Sequence, residues 1–271
     1  MADYHRPFAE QLAFFRAKLN LPTERWDDIE NEAHDRSFIV AGAQAADLLD
    51  DLNAAVTKAI ADGTGLDAFR KDFRQIVQKN GWTGWTGEGS AAGVAWRTKV
   101  IYQTNMATSY AAGRYQQLTD PDLLAVLPYW QYKHADGVLY PRPLHVAWDG
   151  LTLPPEHPFW QTHFPPGGWG CHCRCIAVPK SDYLKAIAGG KGPASAPAAG
   201  DTQGIDPGFA YTPGASVSAE LRALADAKLV KLPAPIGAAM AEDLPPQLAA
   251  DRRAAFAVWV DQVLAAGVSR N

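Results

Sequence analysis

The sequence of 271 residues is poor in cysteine and in long apolar runs, and neither sign of charge dominates it. Three cysteines are too few for a disulfide-stabilised secreted scaffold. No stretch reaches the roughly 18 apolar residues that a membrane span requires, and the opening MADYHRPFAE lacks the apolar core of a signal peptide. With 25 Lys and Arg against 29 Asp and Glu, the chain has no excess of positive charge for coating nucleic acid. We therefore expect a globular protein without a membrane partner.

Apolar periodicity predicts helices in the first 81 residues. One helical face after Pro7 carries Phe8, Leu12, Phe15 and Leu19. A second helical pattern extends from about Trp26 to Ala61, interrupted only by Gly42, and a third covers residues 66–80. Gly63 and Gly81 follow these patterns as C-terminal caps. This region is therefore expected to consist of helices packed against helices.

A long helix is predicted at the centre of the chain. Glycine recurs in WTGWTGEGSAAG, which starts at Trp82, and this excludes regular structure there. The helix then runs from Ala92 to about Leu118, with small residues that permit close approach of another backbone. Three of its polar residues either serve catalysis or anion binding, or else bridge packed helices or point to solvent: Arg97, Asn105 and Arg114.

Residues 125–180 change character and become rich in proline and loops. VLPYWQYKHADGVLY predicts a strand, a turn at Asp136-Gly137 and the return strand of a hairpin. The predicted fold class is thus α+β, a mainly α-helical N-terminal region with a small loop-rich β module containing a Cys/His cluster. Such a small module has little apolar core and often needs a covalent or metal staple.

The composition divides the chain into four parts. Residues 1–81 are the helical N-terminal region, and 82–180 contain the long helix and the β module with its Cys/His cluster. Residues 181–215, rich in Ala, Gly, Pro and Ser, are predicted to be a linker. Residues 216–271 are predicted to be a tail with helices at about 216–228 and 246–265.

The three cysteines lie within five residues, and five of the seven histidines fall in the same stretch: His134, His145, His157, His163 and His172. If Cys171, Cys173 and Cys175 were on one extended strand, the outer two would be about 13 Å apart at Cα, too far for one ion. We therefore expect Cys173 and Cys175 to form the pair and Cys171 to lie outside it; the alternative is that Gly167, Gly168 and Gly170 bend the chain and bring Cys171 round. Structural zinc, buried reduced thiols with packing histidines, and redox or nucleophilic chemistry all remain open.

His145 and Asp149 are four residues apart and would share a face of one helical turn. They suit a His–Asp hydrogen bond, two metal ligands, or a general base oriented by a carboxylate. The chain has no G-x-S-x-G and no H-E-x-x-H motif, so the structural interpretation is favoured and no catalytic or cofactor-binding residue is assigned. The predicted metal ligands are His145, Asp149, Cys173 and Cys175, for a structural zinc ion.

Four short motifs in this region resemble a known signature. They are His145-x3-Asp149-Gly150, Pro154-Pro155-x-His157-Pro158-Phe159-Trp160, Phe164-Pro165-Pro166 and Cys171-x-Cys173-Arg174-Cys175. The signature is that of the phage Mu F-like minor head proteins, a head-morphogenesis family that includes the minor capsid protein of phage SPP1. Upstream, Arg97-x3-Ile101-Tyr102-x-Thr104-Asn105 is similar to the family's central helix, and the likeness extends over about residues 26–215. Cys171 and His172 are additions to the C-R-C that is commoner in the family.

The resemblance implies a minor capsid protein of a tailed phage or prophage that is not an enzyme. Members associate with the portal vertex during procapsid assembly and DNA packaging or delivery. The implied partners are the portal protein and other head proteins, with packaged DNA as a further candidate through a local basic patch of Arg142, Arg174 and Lys180. The implied location is the virion, and the host cytoplasm during assembly. The alternative is a metal-dependent hydrolase or nuclease that uses His145, Asp149 and the Cys/His cluster.

Overall fold

The computed structural model describes residues 7–217, and these contain eight α-helices and five short strands. The helices are Ala9–Arg16 (α1), Ala46–Asp62 (α2), Leu66–Asn80 (α3), Ala91–Leu118 (α4), Pro121–Val126 (α5), Pro143–Ala147 (α6), Phe159–His163 (α7) and Lys180–Ala188 (α8). The strands are Leu19–Asn20 (β1), Ser37–Phe38 (β2), Tyr129–Lys133 (β3), Thr152–Leu153 (β4) and Arg174–Val178 (β5). Turns of 3₁₀-helix lie at Asn31–Asp35 and Pro193–Ser195. This composition confirms the α+β class.

The N-terminal core forms where α2 and α3 pack against α1 and the first half of α4. In α2, Leu48, Leu52 and Val56 recur at helical spacing and are buried, so their burial holds the amphipathic helix in place. Both helices end at a glycine in the left-handed conformation, Gly63 at φ 64° and Gly81 at φ 58°. The third predicted helix is confirmed over its whole length.

The second predicted helix is wrong in its first half, because α2 begins only at Ala46. Residues 26–45 instead form loops, the first 3₁₀ turn and β2, which pairs in parallel with β1. Phe38 and Val40 are buried at a spacing of two, the period of a strand rather than of a helix. The first helix is also shorter than predicted, since α1 ends at Arg16 and Leu19 is 74% exposed.

The long helix α4 contributes residues to both hydrophobic cores of the described structure. Ser90 caps its first turn by accepting a hydrogen bond from the Gly93 amide at 3.0 Å. Ile101 belongs to the N-terminal core, whereas Ala111 and Leu118 belong to the core of the β module. At Gly113 the helix approaches α1 so closely that a Cβ would lie 2.8 Å from the Gln11 amide nitrogen. The predicted long helix with small packing residues is confirmed.

The β module is a three-stranded antiparallel sheet with β3 at its centre, between β4 and β5. The predicted hairpin is wrong. A turn lies at Asp136-Gly137, but the residues after it form no strand, and Leu139 and Tyr140 are more than four-fifths exposed. The partners of β3 come from farther along the chain, with Trp130 opposite Leu153 and Tyr132 opposite Cys175. Non-local pairing therefore replaces the local return strand.

The segment expected to be a linker, 181–215, is folded. It contains most of α8 and the second 3₁₀ turn, and its later part packs back onto the β module through Ile205 and buries Phe209 and Tyr211. Its Ala/Gly/Pro composition therefore reflects tight packing and turns rather than an unattached connection. The predicted tail helices at 216–228 and 246–265 lie outside the described residues, apart from residues 216 and 217. Among the helices of residues 7–217, none combines the length and the apolarity that crossing a membrane requires.

Candidate functional site

Three potential metal ligands meet beside β5. The His145 ring belongs to α6, whereas Cys171 and Cys173 lie in the loop that leads into β5. The Nδ1 atom of His145 is 3.6 Å from the Cys171 sulfur and 3.7 Å from the Cys173 sulfur. All three ligand atoms lie within 4.8 Å of one another. We refer to His145, Cys171 and Cys173 as the His-Cys-Cys cluster.

A hydrogen bond on the side of the ring away from the cysteines fixes the orientation of His145. Its ring is 1% exposed, and Nε2 is 2.9 Å from the carbonyl oxygen of Gly204. Since a carbonyl only accepts hydrogen bonds, Nε2 carries the proton in the neutral ring and Nδ1 presents a lone pair to the two sulfurs. The indole of Trp148 stacks on the imidazole with 5.2 Å between ring centroids. The ring is thus held in one tautomer and one direction.

Glycines bring the two cysteines to this ring. A Cβ at Gly167 would lie 2.9 Å from the Ile205 side chain and 3.2 Å from the His145 ring, so the backbone passes closer than any side chain allows. Gly170 has φ 67°, and the Cys171 amide donates to the Gly168 carbonyl at 3.1 Å to close a turn. The chain therefore bends before β5 starts at Arg174.

An ion pair fixes the segment that supplies the Gly204 carbonyl. Arg142 donates to the Asp206 carboxylate, at 2.6 Å between Nη2 and Oδ2, and the Trp169 amide donates to the same carboxylate at 2.9 Å. These hydrogen bonds hold the pKa of Asp206 below its ordinary value against the opposing effect of its burial. Asp206 was visible in the sequence only as part of the Asp206-Pro207-Gly208 turn, and nothing in the sequence linked it to Arg142.

The two thiols influence each other. The Cys171 thiol can donate to the Cys173 sulfur, and this lowers the pKa of Cys173 despite its burial, with further help from His145. Tyr132 lies beside them with its hydroxyl buried. Burial raises the pKa of Tyr132, and the neighbouring sulfurs raise it further. The Tyr132 hydroxyl in turn helps to lower the pKa of Cys173.

The structure brings together only two of the four predicted ligands, His145 and Cys173. Asp149 is occupied elsewhere, because it accepts from the His134 amide at 2.9 Å and pairs with Lys133 at 3.1 Å. Cys175 is buried in the core of the β module, where β5 is already extended. Cys171, which was expected to lie outside, is the third member of the cluster. The expectation for Cys171 rested on an extended chain from residue 171, and the structure follows the alternative in which the preceding glycines bend it.

The remaining histidines of the stretch join no metal-ligand group in the part of the chain that the structure describes. His163 stacks on Phe159 at 4.5 Å between centroids, and its Nδ1 lies 2.8 Å from the Thr162 hydroxyl. Burial lowers the pKa of His163 to about 4, so it is a neutral packing residue. His157 accepts from the Phe159 amide at 3.2 Å and stabilises the turn before α7.

The polar residues of α4 make structural contacts. Arg97 is buried and donates to the Ala41 carbonyl, which ties α4 to the loop before α2. Asn105 donates to the Ile101 carbonyl of its own helix, and Arg114 donates to Gln117. Arg97 therefore bridges packed segments, which was one of the two interpretations that the sequence allowed.

A cleft of about 690 Å³ borders the cluster. Cys171 and Cys173 line one side of it, and Arg114 and Tyr110 of α4 line another. Two thiols and one imidazole are soft donors that suit zinc rather than magnesium or calcium. With Asp149 held by Lys133, no carboxylate orients His145 for general-base chemistry.

Comparisons with known proteins identify relatives of this region. A sequence model of the family described as "Phage Mu protein F like protein" matches residues 50–176, a range that includes the whole cluster. The chain is 36% identical over 181 residues to the "Putative capsid assembly protein F" of Escherichia phage Mu, covering 64% of this chain and 40% of that protein. It is also 36% identical over 166 residues to the "Mu-like prophage FluMu F protein" of Haemophilus influenzae, covering 59% of this chain and 39% of that protein. The chain thus spans about two-fifths of the length of these relatives. No solved structure matches it.

Proposed function

Because a sequence model of the phage Mu protein F-like family matches residues 50–176, we propose that this chain belongs to that family and acts in head morphogenesis of a tailed phage or prophage, as a minor capsid protein. The observation that carries the proposal is the 36% identity with the capsid assembly protein F of phage Mu. The family match begins within α2 and ends within β5, so it includes the buried residues of the β-module core, part of the N-terminal core and the His-Cys-Cys cluster. The shared sequence therefore covers the long helix α4 and the residues of the cluster.

The finer part of the proposal concerns partners and place. The chain associates with the portal vertex during procapsid assembly and DNA packaging or delivery, with the portal protein and other head proteins as partners. It resides in the virion, and in the host cytoplasm during assembly. A formal net charge of −4 favours protein partners over strong DNA coating. Arg142 is engaged by Asp206, which takes one positive charge out of the basic patch that would face packaged DNA.

The proposed role is structural rather than enzymatic. The alternative, a metal-dependent hydrolase or nuclease, requires His145 to work with Asp149, and Asp149 instead pairs with Lys133 at 3.1 Å. The His145 ring is oriented by a backbone carbonyl, which fixes its tautomer without supplying the negative charge that stabilises an imidazolium. The geometry therefore favours a residue that holds the fold.

The experiment disrupts the gene in the phage or lysogen that encodes the chain. We expect fewer infectious particles, with defective or empty heads in electron micrographs, and restoration by the wild-type gene supplied in trans. The full-length chain should also be found in purified virions and should co-purify with the portal protein of the same genome when the two are co-expressed. Normal infectious titre together with absence from the virion would refute the proposal.

An assay on the purified protein tests the enzymatic alternative. Full-length protein is incubated with DNA and with RNA in the presence of Mg²⁺, Mn²⁺ or Zn²⁺, and a His145→Ala variant serves as the comparison. We expect no cleavage by either protein. Cleavage that the variant loses would establish the hydrolase alternative.

A further inference from the structure

The His-Cys-Cys cluster has the geometry of a metal site. At tetrahedral angles, a zinc ion with bonds of about 2.3 Å to sulfur and 2.0–2.1 Å to nitrogen holds its sulfur and nitrogen ligands about 3.6 Å apart. The observed separations between His145 Nδ1 and the two sulfurs are 3.6 and 3.7 Å. Both nitrogen–sulfur separations therefore match those of a zinc site, and all three ligand atoms lie within 4.8 Å of one another. We propose that His145, Cys171 and Cys173 bind one Zn²⁺ ion.

The atoms surrounding the cluster support metal ligation rather than simple packing. The Gly204 carbonyl holds Nε2 of His145 at 2.9 Å, an outer-shell partner of the kind that orients histidine ligands of zinc. The Tyr132 hydroxyl is buried beside both sulfurs and interacts with the Cys173 sulfur. A zinc-bound thiolate is a strong hydrogen-bond acceptor, so zinc would strengthen this contact.

The choice of zinc follows from the donors. Two sulfurs and an imidazole nitrogen disfavour magnesium and calcium, which prefer oxygen. In the described part of the chain no fourth His, Cys, Asp or Glu joins the group. Both cysteines border the 690 Å³ cleft, so water from that side completes the tetrahedral shell.

The ion would hold three separate segments together. His145 comes from α6, the cysteines come from the loop before β5, and the Gly204 carbonyl extends the connection to the segment packed behind them. The sheet of this module has strands of only two to five residues. A module with such short strands gains stability from a metal staple. This inference does not depend on the proposed function in head assembly.

The test measures metal in the full-length protein, purified under reducing conditions, loaded with Zn²⁺ and then dialysed. We expect about one equivalent of zinc, by mass spectrometry of the metal. Replacement by Co²⁺ should give the intense thiolate-to-metal charge-transfer absorption of a site with sulfur ligands. Less than about a tenth of an equivalent of bound zinc, or cobalt binding without that absorption, overturns the proposal.

The variants Cys171→Ala and Cys173→Ala test the ligand assignment, and Cys175→Ala is the matched control because it lies in the same short string but outside the cluster. We expect each of the first two to weaken zinc affinity at least about 100-fold, more than loss of an outer-shell partner costs, whereas Cys175→Ala retains one equivalent. An equal loss in all three variants refutes the assignment.

A measurement on the wild-type protein covers the case in which the variants fail to fold. Thiol titration of the folded, zinc-loaded protein before and after chelation should reveal two additional reactive cysteines. No change on chelation contradicts the proposal, as does a disulfide between Cys171 and Cys173 in the reduced preparation.

Discussion

At the residue scale, the hydrogen bond that His145 makes through Nε2 determines which atom of its ring faces the cysteines. The Gly204 carbonyl oxygen accepts a hydrogen bond from Nε2 at 2.9 Å, and this leaves Nδ1 as the atom that faces the thiols. Fixing one nitrogen of an imidazole decides what the other can do. A histidine at the same place without that carbonyl could present either nitrogen, and the cluster would lose its fixed donor.

Gly167 makes the close approach to this ring possible, and it gives a prediction. Gly167→Ala would place a Cβ 2.9 Å from the terminal methyl of Ile205 and 3.2 Å from the His145 ring, so the methyl must move and the ring must give by a few tenths of an ångström. We expect the free energy of unfolding to fall by about 1–3 kcal/mol and zinc retention to fall with it. Denaturant titration and metal analysis measure the two effects.

The control for this substitution is Gly89→Ala, because a Cβ at Gly89 meets nothing within 4 Å and its φ is not in the left-handed region. The control should change stability by no more than about 0.5 kcal/mol. Equal effects of the two substitutions would mean that close packing at Gly167 does not matter.

At the element scale, the β module is assembled from segments that are distant in sequence. Strand β3 pairs with β4 and β5 instead of with the residues that follow its own turn. Pro141 and Pro143 lie soon after that turn, and proline cannot donate to a ladder. The loop between β3 and α6 therefore does not pair with the sheet, and α6 places His145 beside the cysteines.

The ion pair between Arg142 and Asp206 anchors the last segment of this assembly, and Asp206→Asn tests it. The substitution keeps the shape but removes the charge that accepts from Arg142 and from the Trp169 amide. Because both side chains are partly exposed, solvent screens the pair, and we expect a loss of about 1–2 kcal/mol in the free energy of unfolding. Urea titration at neutral pH measures it.

Asp67→Asn is the comparison for an ion pair of ordinary exposure. Asp67 pairs with Arg70 at 2.9 Å, and its side chain is 94% exposed. Its replacement should cost no more than about 0.5 kcal/mol. If both variants lose the same small amount, the anchoring role assigned to Asp206 is wrong.

At the scale of the whole molecule, α4 and the segment near residue 214 join the two cores. Helix α4 contributes to both of them. Asp35, a buried residue at the end of the first 3₁₀ turn, accepts through its carboxylate from the Gly214 amide at 2.9 Å and from the Ser216 hydroxyl at 2.7 Å. Burial raises the pKa of Asp35, and these hydrogen bonds oppose the rise. The beginning and the end of the described chain are thereby connected.

Asp35→Ala removes this connection. It leaves the Gly214 amide without its acceptor and deprives the buried Lys18 ammonium of a neighbouring negative charge. We expect the free energy of unfolding to fall by about 2–4 kcal/mol and the Gly214 amide to exchange its hydrogen faster. Denaturant titration and hydrogen exchange measure the two effects.

Asp62→Ala, at the exposed C-terminal end of α2, should leave the exchange of Gly214 unchanged and stability within about 0.5 kcal/mol. Unaltered exchange at Gly214 in Asp35→Ala would show that the contact does not hold this end of the chain.

The sequence by itself determined the elements that depend on nearby residues. The apolar spacing of α3 and α4 and the glycine caps at Gly63 and Gly81 are local properties, and each could be predicted. The motifs from His145 to Cys175 predicted the resemblance to the family whose sequence model matches residues 50–176, because a family signature is itself a linear pattern.

Only the tertiary structure decided which residues meet. The strands that pair with β3, and the third residue of the cluster, come from segments tens of residues apart. The spacing of apolar residues within one segment does not predict such contacts. Cys171 contacts His145 because the glycines before β5 bend the chain. Asp149 does not join the cluster, because it forms an ion pair with Lys133 of the neighbouring strand β3. The Gly204 carbonyl that orients His145 comes from a segment whose composition predicted only a linker. Short-range patterns fix helices, whereas a site built from distant segments is fixed by how those segments pack.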